Sequence, residues 1–157
     1  MRKGGEAGLK VVATNRKARH DYEIAETYEA GLVLKGSEVK SLRRGSCSLG
    51  DGFAQVKDGE VFLYNVYIAP YEEGGRWNPD PRRPRKLLLH KQEIVRLSTK
   101  VNERGYTLVP LRIYFKEGYA KVELALAKGR AKYDKREKLK KEEQEREMRR
   151  ALKEFGR

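Results

Sequence analysis

Three short stretches place cations beside rings, the combination that holds phosphates and unpaired bases. Asn15-Arg16-Lys17-Ala18-Arg19-His20-Asp21-Tyr22 sets three cations next to a histidine and a tyrosine. Arg and Lys neutralise phosphates, while His and Tyr rings stack on bases or hydrogen-bond a ribose hydroxyl. Glu38-Val39-Lys40-Ser41-Leu42-Arg43-Arg44 carries cations at helical spacing, and Arg82-Arg83-Pro84-Arg85-Lys86 leads into Leu87-Leu88-Leu89-His90. Any one such run is compatible with a solvated surface; three of them with a basic tail point to RNA, without identifying which RNA. Glu29, an acid ahead of Gly31 on a basic surface, either accepts from base amino groups or simply ends a strand. Trp77, among Arg76, Asn78 and prolines, serves either loop packing or base stacking.

Catalytic constellations are scarce. One cysteine (Cys47) and two histidines (His20 and His90) cannot assemble the usual structural zinc sets. There is no phosphate-binding G-x-x-x-x-G-K-[ST] loop, and Gly50-Asp51-Gly52 lacks the context of one. Asp51, Asp58 and Glu60 lie in turn sequence, where acids serve backbone hydrogen bonding. The chain reads as a binding protein without metal or cofactor, not as an enzyme.

The partner's sign follows from charge. The net charge is +13, of which residues 128–157, with thirteen basic and seven acidic side chains, supply +6. Residues 1–127 therefore carry +7 of their own, a field that favours polyanions. No apolar run approaches the roughly 20 residues needed to span a bilayer, and no apolar stretch follows the N-terminal Met1-Arg2-Lys3-Gly4-Gly5-Glu6. A single cysteine fits a reducing cytoplasm.

These residues need elements to hold them. Residues 1–12 read as a flexible arm, 13–127 as a barrel and 128–157 as a basic tail, on the scale of one domain plus an extension. From His20 to Leu34 the chain reads as extended, with Tyr22, Ile24, Leu32 and Leu34 spaced by two. Gly36-Ser37 opens a short helix with Ser37 as its N-cap, Val39 and Leu42 facing inward, and Gly45 just past its end. Asp58-Gly59 and Glu117-Gly118 join two hairpins, and Ile94, Leu97 and Val101 give an amphipathic helix over residues 91–104 closed by Gly105. Between them, residues 70–85 hold four prolines and form a long loop. The pattern is mostly β with short helices: a small antiparallel barrel, with an OB-like barrel the favoured member of that class. In the tail, residues 131–147 offer only Tyr133 and Leu139 as sizeable apolar side chains, yet Glu, Lys, Arg and Gln dominate. That composition favours helix but gives it nothing of its own to dock on, so the tail is helical or disordered until an anionic partner orders it.

Several of these stretches, in order, resemble the SsrA-binding protein (SmpB) family. They are N-R-K-A-R-H-D-Y-E-I (15–24), E-A-G-L-V-L-K-G-S-E-V-K-S-L-R-R-G (29–45), R-K-L-L-L-H (85–90), G-Y-T-L-V-P-L (105–111) and K-Y-D-K-R (132–136). The resemblance implies a non-catalytic OB-fold protein that binds the tRNA-like domain of transfer-messenger RNA (tmRNA, SsrA RNA). With that RNA it enters stalled ribosomes for trans-translation, standing in for a missing anticodon arm. Implied partners are tmRNA, the 70S ribosome including 16S rRNA in the decoding region, and indirectly elongation factor Tu with alanyl-tmRNA; no membrane is involved.

The family's tmRNA-facing positions fall on Lys17, Arg19, Glu29, Lys40, Arg43, Leu88 and His90, and the third basic run adds Arg85 and Lys86. His20 matches a position facing the decoding region. The tail resembles the family's segment that lies in the empty messenger channel, starting with Lys128, Gly129, Arg130, Lys132, Tyr133, Asp134, Lys135 and Arg136. Two departures stand out. Gly129-Arg130-Ala131-Lys132 replaces a common G-K-K, and Tyr133 stands where some members carry histidine, which speaks against a proton-dependent role there.

Overall fold

Two dipeptides fold the chain back on itself. Asp58 and Gly59 have φ of 52° and 77°, and Glu117 and Gly118 have 51° and 84°. Positive φ at both central residues is the two-residue turn whose twist matches paired strands, and glycine at the second position adopts it without strain. A computed structural model describes residues 9–73, 78–103, 105–129 and 143–150. Its elements run β1 (Leu9–Thr14), α1 (Arg16–Asp21), β2 (Tyr22–Leu32), α2 (Gly36–Arg43), β3 (Cys47–Ser48) and β4 (Phe53–Lys57). They continue with β5 (Glu60–Tyr64), β6 (Tyr67–Ile68), β7 (Arg85–Leu88), α3 (Lys91–Val101), β8 (Tyr106–Lys116) and β9 (Tyr119–Gly129). Residues 143–150 of the tail are helical, with their side chains exposed.

The main sheet has the order β1-β8-β4-β5-β7-β2-β9, and pairing of β8 with β9 closes it into a ring. Every pairing is antiparallel. The mostly β, antiparallel barrel expected from the hairpin signals is what forms. Leu63, Leu87, Leu108, Ile113, Leu124 and Leu126 fill its interior, each no more than 1% exposed. The amphipathic stripe of α3 packs there too, with Leu97 fully buried and Ile94 and Val101 against the same cluster. Pro110 sits inside β8 where the register slips between Pro110 and Arg112, a place where a missing N–H is tolerated.

Four local expectations need correction. Residues 9–12, read as part of a loose arm, belong to β1 and pair with β8, where Val12 packs on the core. Lys128 and Gly129, read as the start of the tail, are the end of β9 and lie opposite Glu23 and Tyr22. His20 and Asp21, read as the start of an extended segment, are instead the end of helix α1, and the strand begins at Tyr22. The N-cap of α2 is Lys35, not Ser37; Glu38 reaches back to accept the Lys35 N–H at 2.9 Å, and Glu93 does the same for the His90 N–H of α3 at 3.0 Å. Gly45 does close α2, with φ of 77° and its N–H on the Leu42 carbonyl at 2.8 Å. The expected long loop lies between β6 and β7, stitched by Asn78, whose amide bonds both the N–H and the carbonyl of Tyr71. Arg76 and Trp77 lie outside the described residues.

Candidate nucleic-acid interface

The first basic run owes its geometry to Asn15. Its Oδ1 accepts the Ala18 N–H at 3.2 Å, its Nδ2 donates to the Pro110 carbonyl at 3.1 Å, and its own N–H binds the Leu111 carbonyl at 2.7 Å. A helix cap is thereby bolted to β8. Ala18, 2% exposed, seats the helix on Val109, Leu111, Ala125 and Ala127. With Ala18 inward, Arg16, Lys17, Arg19 and His20 are left in solvent. The His20 ring is 88% exposed, its Nδ1 3.2 Å from Asp21 Oδ1. Arg19 and His20 occupy the last turn, where helix carbonyls favour cations.

The second run is set by which side of α2 is buried. Glu38, Ser41 and Leu42 face inward, and the Ser41 hydroxyl donates to the Ala69 carbonyl at 2.6 Å. Lys40, Arg43 and Arg44 therefore face out. Lys40 and Arg44 share the Tyr71 ring, at 5.5 and 4.5 Å from its centroid, and Arg43 lies 4.6 Å from that of Phe115. Arg44 is also paired with Glu73 at 3.1 Å, whereas Lys40 and Arg43 form no ion pair among the described residues.

The third run is divided by burial, and one of its predicted contacts fails. Arg85 is 1% exposed: its Nε donates to Glu38 at 2.7 Å, Nη1 to the Val66 carbonyl at 2.7 Å and Nη2 to the Pro81 carbonyl at 2.9 Å. A guanidinium so enclosed cannot face RNA; β7 turns it inward because residues of a strand alternate between faces. Arg83 joins it on Glu38 through Nε at 3.1 Å. Burial alone would raise the Glu38 carboxyl, but hydrogen bonds from Arg83, the Lys35 N–H and Arg85 outweigh it and hold the group below the ordinary carboxylate value. Lys86 faces out, paired with Glu60.

Strand pairing gathers another group. Leu88 lies opposite Gly31 and is 54% exposed; a Cβ at position 31 would stand 3.3 Å from the Leu88 Cβ, so the glycine lets the leucine lie across the strand. Glu29 shares the outward face of β2, and Oε2 of its carboxylate accepts from the Tyr114 hydroxyl at 2.6 Å and Lys116 Nζ at 3.4 Å. The Tyr114 bond, helped by Lys116 and Lys121 against the effect of burial, lowers the Glu29 carboxyl from its ordinary range. His90, exposed, follows as the N-cap of α3. From Tyr22 to Glu29 the strand runs about 23 Å at ~3.3 Å per residue, so Lys17 and Arg19 lie with His20, well apart from Glu29, Leu88 and His90. Lys128 and Gly129 belong with the α1 group through their pairing with Glu23 and Tyr22. Arg130, Lys132, Tyr133, Asp134, Lys135 and Arg136 lie outside the described residues. The inward fate of Arg85 and the helical form of α1 were both missed; Asn15, a cap residue just before Arg16, was the available sign of α1.

Residues 12–154 match the family model described as SmpB protein. The chain belongs to the SmpB family. It is 59% identical over 150 residues to the SsrA-binding protein of Halothermothrix orenii, covering 96% of this chain and 97% of that one. The SsrA-binding protein of Geobacillus thermodenitrificans is 61% identical over 145 residues, 92% and 94% of the two chains. Among solved structures, a chain described as "tmRNA-SmpB: a journey to the center of the bacterial ribosome" superposes with a TM-score of 0.65 at 61% identity, over 78% of this chain and 85% of its own. The SmpB match spans α1, the barrel and most of the tail, so the exposed cations of α1 and α2 fall inside it.

Proposed function

We propose that this chain binds the tRNA-like domain of tmRNA and delivers it to stalled ribosomes for trans-translation, with its C-terminal tail probing the vacant messenger channel near the decoding centre. The observation that carries this reading is the likeness, at 61% identity, to a solved chain described with tmRNA and the bacterial ribosome. Exposed cations that form no ion pair among the described residues give it physical content. Lys17, Arg19, Lys40 and Arg43 hold tmRNA phosphates, Leu88 and His90 pack on its sugars and bases, and the free oxygen of Glu29 accepts from a base amino group. Lys86 contributes only after parting from Glu60. Arg85 acts from inside, holding Glu38 and with it the face of α2.

His20, Lys128 and Gly129 face the decoding region, where the tail leaves the barrel. An intact messenger fills its channel with phosphates, so messenger and basic tail compete for one space. A lone helix of this length is marginal in water; the phosphate-lined channel supplies the missing stabilisation through many screened ion pairs. Ordering of the tail thus reads out a vacant channel. The role is non-catalytic, exercised in the cytoplasm, with elongation factor Tu met indirectly through alanyl-tmRNA. No helix among the described residues is long and apolar enough to cross a membrane.

Truncation tests the division of labour. The cut belongs after Gly129, because an earlier one removes the pairing of Lys128 and Gly129 with β2. The shortened chain should keep its affinity for the tRNA-like domain within about twofold and lose peptide tagging. Parallel loss of both would refute the division.

A further inference from the structure

A cleft of about 730 Å³ opens between α1, the turn at residues 50–52 and the start of β8, lined by Lys17, Asp51, Phe53 and Thr107 among others. This volume is in the range that holds a nucleotide-sized ligand (~300–1,000 Å³). Phe53 forms one wall. It is 37% exposed, stands directly opposite Tyr64, and stacks on it with centroids 5.4 Å apart and planes 19° apart. A planar base laid on Phe53 would extend an existing stack of rings.

The polar groups of the cleft fall into two classes. Asn15 is spent on capping α1, and Asp21 meets His20. The Lys17 ammonium, the Asp51 carboxylate and the Thr107 hydroxyl have no protein partner among the described residues. The backbone bearing Asp51 is fixed all the same: the Gly52 N–H binds the Leu49 carbonyl at 2.8 Å, and Asn65 Nδ2 donates to the Asp51 carbonyl at 3.3 Å. A fixed acid facing a polyanion is repelled unless it meets donors. A carboxylate offers two parallel acceptors. Of the four RNA bases, only guanine presents two adjacent donors, N1–H and N2–H, on its Watson–Crick edge. In adenine and cytosine the amino group adjoins a ring nitrogen lone pair, and in uracil N3–H is flanked by two carbonyls.

We propose that this cleft receives one unpaired guanosine of RNA, with the base stacked on Phe53, its N1–H and N2–H on Asp51, and Lys17 on the neighbouring phosphate. The inference rests on the RNA-binding reading above and adds to it a base-specific site. The guanosine comes either from the tRNA-like domain or from ribosomal RNA beside the decoding region, since α1 carries both Lys17 and His20.

Kethoxal, which modifies guanine at N1 and N2, reads the contact directly. The full-length chain is bound in one arm to the tRNA-like domain and in the other to ribosomes with an empty A site. The wild-type chain should protect one guanine in one arm, which identifies the source. Asp51→Asn, which turns one acceptor into a donor, should restore its reactivity at least fivefold, and Phe53→Leu should act in the same direction. Replacing that guanine by adenine should weaken wild-type binding about tenfold and the Asp51→Asn chain no further. Thr107→Val, at the cleft margin, replaces Phe53→Leu should the latter disturb the barrel. If no guanine in either arm responds to Asp51→Asn, the site is refuted. Failure of the wild-type chain to bind the tRNA-like domain in a filter assay would instead refute the parent reading.

Discussion

Replacing Glu38 by Gln should unfold this barrel more readily than any surface change in its basic runs. Glu38 is 3% exposed and Arg85 1%, and their contact at 2.7 Å is walled off from water. The amide keeps the shape but removes the charge that compensates a buried guanidinium. Breaking such a pair from one side destabilises by roughly 3–5 kcal/mol, because the remaining ion stays desolvated. The second partner adds little: Arg83 is 24% exposed, and pairs that reach solvent contribute about 0–1 kcal/mol. A total near 4 kcal/mol is a large share of the ~5–15 kcal/mol that holds a typical domain, and corresponds to a fall in Tm of roughly 10–25 °C. Urea unfolding followed by far-UV circular dichroism at pH 7 measures it. Glu38→Gln combined with Arg85→Met should destabilise less than the two single changes added, by about 1–3 kcal/mol of coupling. A loss below 1 kcal/mol for Glu38→Gln alone would refute the claim that this buried pair fixes α2 to β7.

Three further outcomes follow from particular contacts. Glu26, bonded to Arg96 and to the Tyr28 hydroxyl, is lowered from 4.5 to about 2, chiefly by the Arg96 bond and then by Tyr28. Its folded value is depressed, so the stability it contributes is present above pH 4.5 and lost as pH falls toward about 2; Glu26→Gln should flatten the stability curve within that window, and an unchanged acid limb would count against the tie between β2 and α3. If Lys17, Arg19, Lys40 and Arg43 each neutralise one phosphate, log K for tmRNA should fall with log salt at a slope of about −3 to −4, and Lys40→Ala should reduce that slope by about 1; a slope unchanged in the variant would remove Lys40 from the interface. Tyr133→Ala should slow single-turnover peptidyl transfer on the ribosome while leaving free tmRNA binding within twofold, and unaltered transfer would exclude a ribosomal contact for that ring.

What could be read in advance follows the range of the forces involved. Asp58-Gly59 and Glu117-Gly118 announce their hairpins because turn geometry is a property of two residues. The stripe of Ile94, Leu97 and Val101 announces α3 because helical periodicity is local as well. By contrast, α1 has only Ala18 as a buried residue in six, and its stability comes from Asn15 bonding to residues 95 positions away. The same distance problem hides Arg85. Within a run of cations nothing distinguishes the one that turns inward, and its partner Glu38 lies 47 residues earlier. Glu29 was legible as an unusual acid, but the Tyr114 hydroxyl that occupies one of its oxygens arrives from β8, 85 residues on. The tail boundary slipped by two residues since Lys128 and Gly129 look like the polar run that follows, and only pairing with β2 makes them strand.

A tmRNA-binding role requires preference for one tRNA-like fold, because a generally basic barrel would hold many RNAs. Its most direct test is to sequence the RNA that copurifies with the full-length chain from its native host at moderate salt. A single dominant RNA with a tRNA-like end is the result expected; a mixture of ribosomal RNA fragments in proportion to abundance would contradict it.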